Sequence, residues 1–354
     1  MLGAGGVLGG AWLTGGLHAL ATETGWDPGS AEYMVGTSAG AMIAGLSASG
    51  VPPWFMVAHS AGETGSADTD GSASGDSTRS AGAVYRLHRG VPVLGPGSWR
   101  LALASLARPY RYSPAAVLAG WLPRGVISAE PLKETIRRVV GDGWPPHPNL
   151  WIMACDYDTG RRVAFGRSDA PPASLADAVA ASCAIPAFYR PVEIAGRRYV
   201  DGGVASTSNL DVLADRGLDL VICLNPTSSL DEPRQKTVGE RAAAVLRQAS
   251  GRRLGSEAKR VRTSGTEVVL IQPTVHDLDA MGTNLMSGRR RQQVIEVAVQ
   301  TVANHLRSPE VRSKLRGLPA GEPMLVRRPP GPILEPPDFG ALATERWAAM
   351  ANTG

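Results

Sequence analysis

The sequence predicts an α/β layered domain. Three observations carry this. Short apolar runs of strand length alternate along the chain with segments of helical periodicity. Within residues 33–48 a strand, a sharp glycine-bearing turn and an apolar helix follow one another directly. Hydrophobic residues make up 43% of 354, enough for a sizeable core in one large domain or two ordinary ones.

The elements follow in order. Residues 3–10 are rich in glycine, and 11–24 read as a helix with Trp12, Leu13, Leu17 and Leu20 at helical spacing. Gly25 ends that helix, and 26–29 form a turn. Tyr33, Met34 and Val35 form a short buried strand, and a small-residue helix covers 41–48. Residues 61–82 are almost entirely Gly, Ser, Ala, Thr and Asp, so they bury too little apolar surface to order themselves and read as a flexible excursion. Residues 83–124 are apolar and Arg-bearing, broken by Pro109, Pro114 and Pro123, and read as short helices forming a cap. A helix is predicted at 129–140. A strand at 150–155 pairs with 161–166 across the turn Asp158-Thr159-Gly160. A helix at 175–182 precedes a hairpin of 192–194 and 197–200. Buried strands at 219–224 and 267–271 alternate with long helices at 233–262 and 289–306, and the chain beyond Pro319 is a Pro-rich tail.

Charge and composition exclude several functions. The formal net charge of +4 is mild for this length, and aromatics at 5% are too sparse for a base-stacking platform, so no nucleic-acid partner is expected. Cys155, Cys183 and Cys223 show no metal-like spacing and read as buried, reduced thiols, which fits a reducing compartment. No Lys or Arg precedes Arg79, so the N-terminal region lacks the basic start of a signal peptide. No uninterrupted apolar window of about 20 residues exists to span a membrane. The histidines show no metal-like clustering, no oxygen-rich calcium loop is seen, and neither a metal nor a cofactor is expected.

Three motifs carry chemistry. In Gly36-Thr37-Ser38-Ala39-Gly40 the serine sits between a strand and a helix, where a strained turn holds its oxygen clear at the sheet's end. In the glycine loop, Gly3, Gly5, Gly6 and Gly9 let backbone amides approach a carbonyl and hold its developing negative charge. In Asp201-Gly202-Gly203 a strand delivers an aspartate that two glycines leave uncrowded, a candidate base for the serine.

Together and in this order, the three motifs resemble those of the patatin-like phospholipases, in particular the bacterial members. Residues 181–188 resemble the segment just upstream of that family's aspartate, and 156–160 its hairpin. The resemblance covers 1–60 and 126–225. It implies a three-layer α/β/α domain with a mainly parallel central sheet, and hydrolysis of fatty-acyl esters of phospholipid or lysophospholipid. Carried over, Ser38 is the nucleophile of a Ser–Asp dyad and Asp201 its base. Amides around Gly5 and Gly6 face the oxyanion. Two departures stand out. Only Met1-Leu2 precede the glycine loop, so the first strand is expected to be truncated; and Leu8 stands where many members carry Arg or Lys. Residues 1–310 are expected to form the hydrolase domain, with 61–125 as flexible insertion and helical cap and 311–354 as tail. Cytoplasmic residence with reversible peripheral contact to a membrane is expected, and the oligomeric state is open.

Three alternatives stand beside this reading. A lipid-binding or scaffold protein retaining the fold without catalysis is favoured by the short N-terminal strand and Leu8. A nucleotide-binding oxidoreductase rests on the glycine loop alone. A Ser–Asp–His triad through His276 matches the chain order of α/β-hydrolases, although the elbow comes early for that fold.

Overall fold

The glycine loop is also the start of a helix. In the computed structural model, which describes residues 1–65, 95–229 and 237–319, α1 (Gly6–Thr24) begins inside the loop and ends at left-handed Gly25. It carries no acidic first turn or basic last turn, but Leu8, Trp12, Leu13, Leu17 and Leu20 are buried, so packing rather than charge holds it. After it come β1 (Met34–Thr37), α2 (Ala39–Ala48) and α3 (Pro53–Gly65). Serines 98 and 113 cap the next helices, α4 (Trp99–Ala107) and α5 (Pro114–Trp121). The chain continues through α6 (Glu130–Val140), β2 (Leu150–Asp156), β3 (Arg162–Phe165), α7 (Leu175–Ser182), β4 (Val192–Ile194) and β5 (Arg197–Asp201). The last described part holds β6 (Leu220–Leu224), α8 (Val238–Thr263), β7 (Glu267–Ile271), α9 (Val275–Met281), α10 (Arg291–Leu306) and α11 (Pro309–Leu315).

The sheet is parallel at its centre and antiparallel on one flank. β1 pairs parallel with β2, and β6 with β7, while β3, β5 and β4 join antiparallel. Leu2 closes the gap between the halves through parallel bridges to Gly36 and to Leu224. Its amide donates to Val35 O at 2.8 Å, and its carbonyl accepts from Thr37 N at 3.0 Å. Met1-Leu2 therefore fill the strand position between β1 and β6 for the length of one bridge.

Helices cover both faces, giving the three α/β/α layers. One core packs Leu8, Trp12, Leu13 and Leu17 of α1, α2, α7 and α10 against Ile152, Ala154 and Leu224. The other packs Leu254, Ala258 and Val261 of α8 against Val35, Trp151, Met153 and Val221. The exposed Arg252, Lys259, Arg260 and Arg262 give α8 a solvated basic face. A third, smaller cluster seats α4 and α5 on Cys155, Tyr157, Val200 and Val204.

Two expectations need correction. Residues 61–65, expected to open the flexible excursion, instead continue α3 to Gly65; residues 66–82 lie outside the described residues. Residues 311–315, expected to open the tail, are helical instead. α11 crosses that boundary, and its Val311 and Leu315 are buried in the main core. Residues 320–354 lie outside the described residues. All three cysteines are buried and free, and among the described residues no helix is long and apolar enough to cross a membrane.

Candidate active site

Strand register brings the elbow and the aspartate together. β1 ends with Thr37 opposite Met153, and β5 ends with Asp201 opposite Ala154. β3 covers Ile152 to Cys155 and so takes the other edge of β2. β1 and β5 therefore lie end to end along one edge, and Ser38 and Asp201 leave it at neighbouring positions. Residues 163 apart in sequence meet because two short strands share one long one.

Ser38 has φ 54° and ψ −121°, a backbone conformation that a non-glycine residue adopts only under strain. The cost, on the order of 1–3 kcal/mol, must be met by the surroundings. Gly36 and Gly40 make the turn sterically feasible. A Cβ on Gly36 would overlap Gly40 O, and one on Gly40 would overlap Leu2 O, both of them backbone atoms that cannot swing away. The Ser38 amide donates to Ser182 Oγ at 2.8 Å, and Ser182 donates to Met153 O at 2.6 Å.

Asp201 is buried. Burial pushes its carboxyl up to about 6, against the opposing pull of the Ser38 hydroxyl and the Gly203 amide. Gly203 N donates to it at 2.7 Å, and the Ser38 hydroxyl is close enough to favour its ionised form. Its own amide donates to Ala184 O at 3.0 Å. Cys183 lies beside the pair. Burial pushes its thiol up, the Asp201 charge adds to this, and the Ser38 hydroxyl works against it. The thiol thus stays protonated next to the serine.

The four loop glycines separate by the state of their amides. Gly3 N donates to Leu224 O at 2.9 Å and Gly9 N to Gly5 O at 2.9 Å. Both are committed to the fold. The Gly5 and Gly6 amides open α1 and have no acceptor among the described residues. The loop adjoins both partners: Gly10 approaches Ala39 in the elbow helix, and Gly203 approaches Ala4. Gly202 packs so closely on Met153 O that a side chain there would overlap it. Leu8 is fully buried, and its amide donates to Leu285 O at 2.9 Å. Its position is part of the core and supplies no charge to the site.

One supporting residue had no signal in the sequence. Buried Asn209, with φ 53°, donates from Nδ2 to Ser206 O at 2.6 Å and to Thr37 Oγ1 at 3.0 Å. A longer bond of 3.4 Å reaches Gly202 O. It ties the residue before the serine to the turn after the aspartate. Ser182 stood only within the segment 181–188, where nothing distinguished it from its neighbours. His276 is exposed on α9 and makes no bond to Ser38 or Asp201 among the described residues; its neighbour Asp277 caps that helix through Thr274 N at 2.8 Å.

An α/β/α sandwich carrying a serine on a strained strand-to-helix turn defines a class of hydrolase-like folds. Within it, the model of the patatin-like phospholipase family matches residues 1–214. The chain belongs to the patatin-like phospholipase family. The match takes in the glycine loop, the elbow and the Asp201 turn; β6, α8, β7 and the last three helices lie beyond it. Lipid acyl hydrolysis is the general activity of that family.

Proposed function

We propose that this protein is a serine lipid acyl hydrolase working through a Ser38–Asp201 dyad and an acyl-enzyme, with fatty-acyl esters of phospholipid or lysophospholipid as substrates. The observation that carries the proposal is the placement of a strained serine beside a buried carboxylate whose titration lies near 6. A base so tuned is ionised at neutral pH and takes up a proton more readily than an ordinary carboxylate.

In the first step Ser38 Oγ bonds to the acyl carbonyl carbon while its proton passes to Asp201. The carbonyl oxygen becomes an oxyanion beside the Gly5 and Gly6 amides, which need no reorganisation to receive it. Collapse breaks the ester C–O bond, and the leaving alkoxide takes the proton from Asp201. Water then attacks the acyl-enzyme, giving its proton to Asp201, and collapse releases the fatty acid as Ser38 regains its proton. No cofactor enters either half-reaction. The domain that does this runs through α11, with α4 and α5 as a cap beside the aspartate.

The test is hydrolysis of a chain-length series of nitrophenyl esters, with folding followed by circular dichroism. Wild type is expected to hydrolyse them, while Ser38→Ala and Asp201→Asn lose activity and keep the fold. Equal rates in wild type and folded Ser38→Ala would overturn the mechanism. Inactivity of all three would favour a lipid-binding protein that keeps the fold.

A further inference from the structure

The α4–α5 hairpin turns an apolar surface outward. Trp99, Leu103 and Leu106 recur at helical spacing along α4, and Leu118 and Trp121 along α5, with Tyr110 between the helices. These six side chains are 40–82% exposed. The opposite faces are spent on the fold: Leu101, Ala116 and Ala119 are buried against Cys155, Tyr157, Val200 and Val204. Since both inner faces enter one cluster, both outer faces point away from the domain. Singly exposed leucines are ordinary, but six large apolar side chains on one small hairpin need an occupant.

The charge around the patch identifies that occupant. No Asp or Glu occurs between Asp76 and Glu130, a stretch that holds seven arginines. In the described part, Arg100, Arg108, Arg111 and Arg124 are exposed. Arg100, Arg108 and Arg111 make no salt bridge among the described residues. Aromatic and aliphatic side chains interspersed with exposed arginines that make no salt bridge match a bilayer interface, where the rings sit at headgroup depth and the cations meet lipid phosphate. A protein partner of ordinary composition would supply no such excess of anionic groups.

The hairpin is also tied to the site. Ser113, the cap of α5, donates to Val204 O at 2.6 Å, three residues beyond Asp201. Tyr157 Oη donates to Ala119 O at 3.0 Å. Ser98, the cap of α4, donates to Asp158 at 2.9 Å, and Arg198 pairs with the same carboxylate. We propose that this face docks on an anionic phospholipid bilayer and presents the Asp201 end of the sheet to it. The inference deepens the lipid-hydrolase reading, on which the choice of a bilayer rests, but docking itself does not require catalysis.

The experiment uses the full chain carrying Ser38→Ala, so that vesicles stay intact. Co-sedimentation compares vesicles of phosphatidylcholine alone with vesicles also containing phosphatidylglycerol. Binding is expected with the anionic vesicles and is expected to weaken with salt. Leu103→Glu with Leu106→Glu should lower partitioning at least about tenfold. Arg100→Gln with Arg108→Gln and Arg111→Gln should remove the preference for phosphatidylglycerol. In the active background, the Glu pair should leave hydrolysis of a soluble short-chain ester unchanged while reducing hydrolysis of vesicle lipid. Unchanged partitioning of the Glu pair, or no binding to either vesicle, would overturn the proposal. So would a shift from dimer to monomer in the Glu pair without lipid, which would make the patch a contact between copies. Vesicle binding in a protein that hydrolyses no ester would leave docking standing and remove the hydrolase reading.

Discussion

Ser182 Oγ stands between Ser38 N and Met153 O, accepting from the first at 2.8 Å and donating to the second at 2.6 Å. One hydroxyl thus pins the strained serine to the strand whose edge carries both site residues. Ser182→Ala leaves a buried amide and a buried carbonyl unpaired, at about 1–3 kcal/mol. Thermal unfolding is expected to shift down, and kcat to fall more than KM rises, because the serine loses its position rather than its substrate. Unaltered kcat in a folded Ser182→Ala protein would show that the elbow holds itself.

Asn209 makes a separable contribution. Its side chain links Thr37 to the 202–206 turn, and its backbone has φ 53°. Asn209→Ala loses both the links and the local tolerance for that conformation. Asn209→Gly loses only the links, and so is expected to be more stable than the Ala variant by about 1 kcal/mol. Both are expected to lower kcat, since neither restores the tie to Thr37. Urea melts and ester kinetics read the two effects apart.

The pH dependence follows from Asp201. Its carboxyl titrates near 6 in the folded protein instead of 3.8, chiefly because it is buried. As the proposed base it must be ionised, so kcat/KM is expected to fall about tenfold per unit as pH drops below about 6. Stability runs the opposite way for this group. A raised native pKa means that the folded state binds the proton more tightly, so the stabilisation is complete below about pH 4 and is lost as pH rises through 6. Asp201→Asn removes the buried charge and is expected to be more stable than wild type above pH 6, by up to about 3 kcal/mol. Denaturant titrations of both proteins at pH 5 and pH 8 test this, with the gap expected to narrow at the lower value.

Two glycines in one region should respond in opposite ways. A Cβ on Gly40 would overlap Leu2 O and come within 2.7 Å of Gly3 O, so Gly40→Ala is expected to yield misfolded or inactive protein. A Cβ on Gly10, inside α1, would meet only Ala39 Cβ at 3.5 Å, an ordinary contact. Gly10→Ala should stabilise α1 by about 0.5–1 kcal/mol. Soluble yield and melting temperature distinguish the pair.

Local pattern accounts for much of what the sequence revealed. Helix 175–182 and strand 267–271 have the limits that their apolar runs indicated, because burial on those elements follows residue type. Three helices did not stand out: Pro53–Gly65, Val275–Met281 and Pro309–Leu315. The first runs into small polar residues that break its periodicity. The other two are seven residues each, too short for periodicity, although Thr274 with Asp277 and Ser308-Pro309 are start signals. At the site, the motifs were visible as residues but their meeting was not. That Ser38 and Asp201 leave adjacent positions on β2 depends on two strands sharing one edge, a non-local pairing. The strand position filled by Leu2 arises the same way, since two residues have no period to read.

Covalent labelling tests most directly whether Ser38 is a nucleophile activated by Asp201. Folded protein would be treated with a fluorophosphonate across a pH series, and the adduct located by peptide mass mapping. One adduct is expected, on the peptide containing Ser38, absent in Ser38→Ala and formed more slowly as pH falls below about 6. Labelling that persists in Ser38→Ala, or that proceeds at the wild-type rate in Asp201→Asn, would contradict these roles.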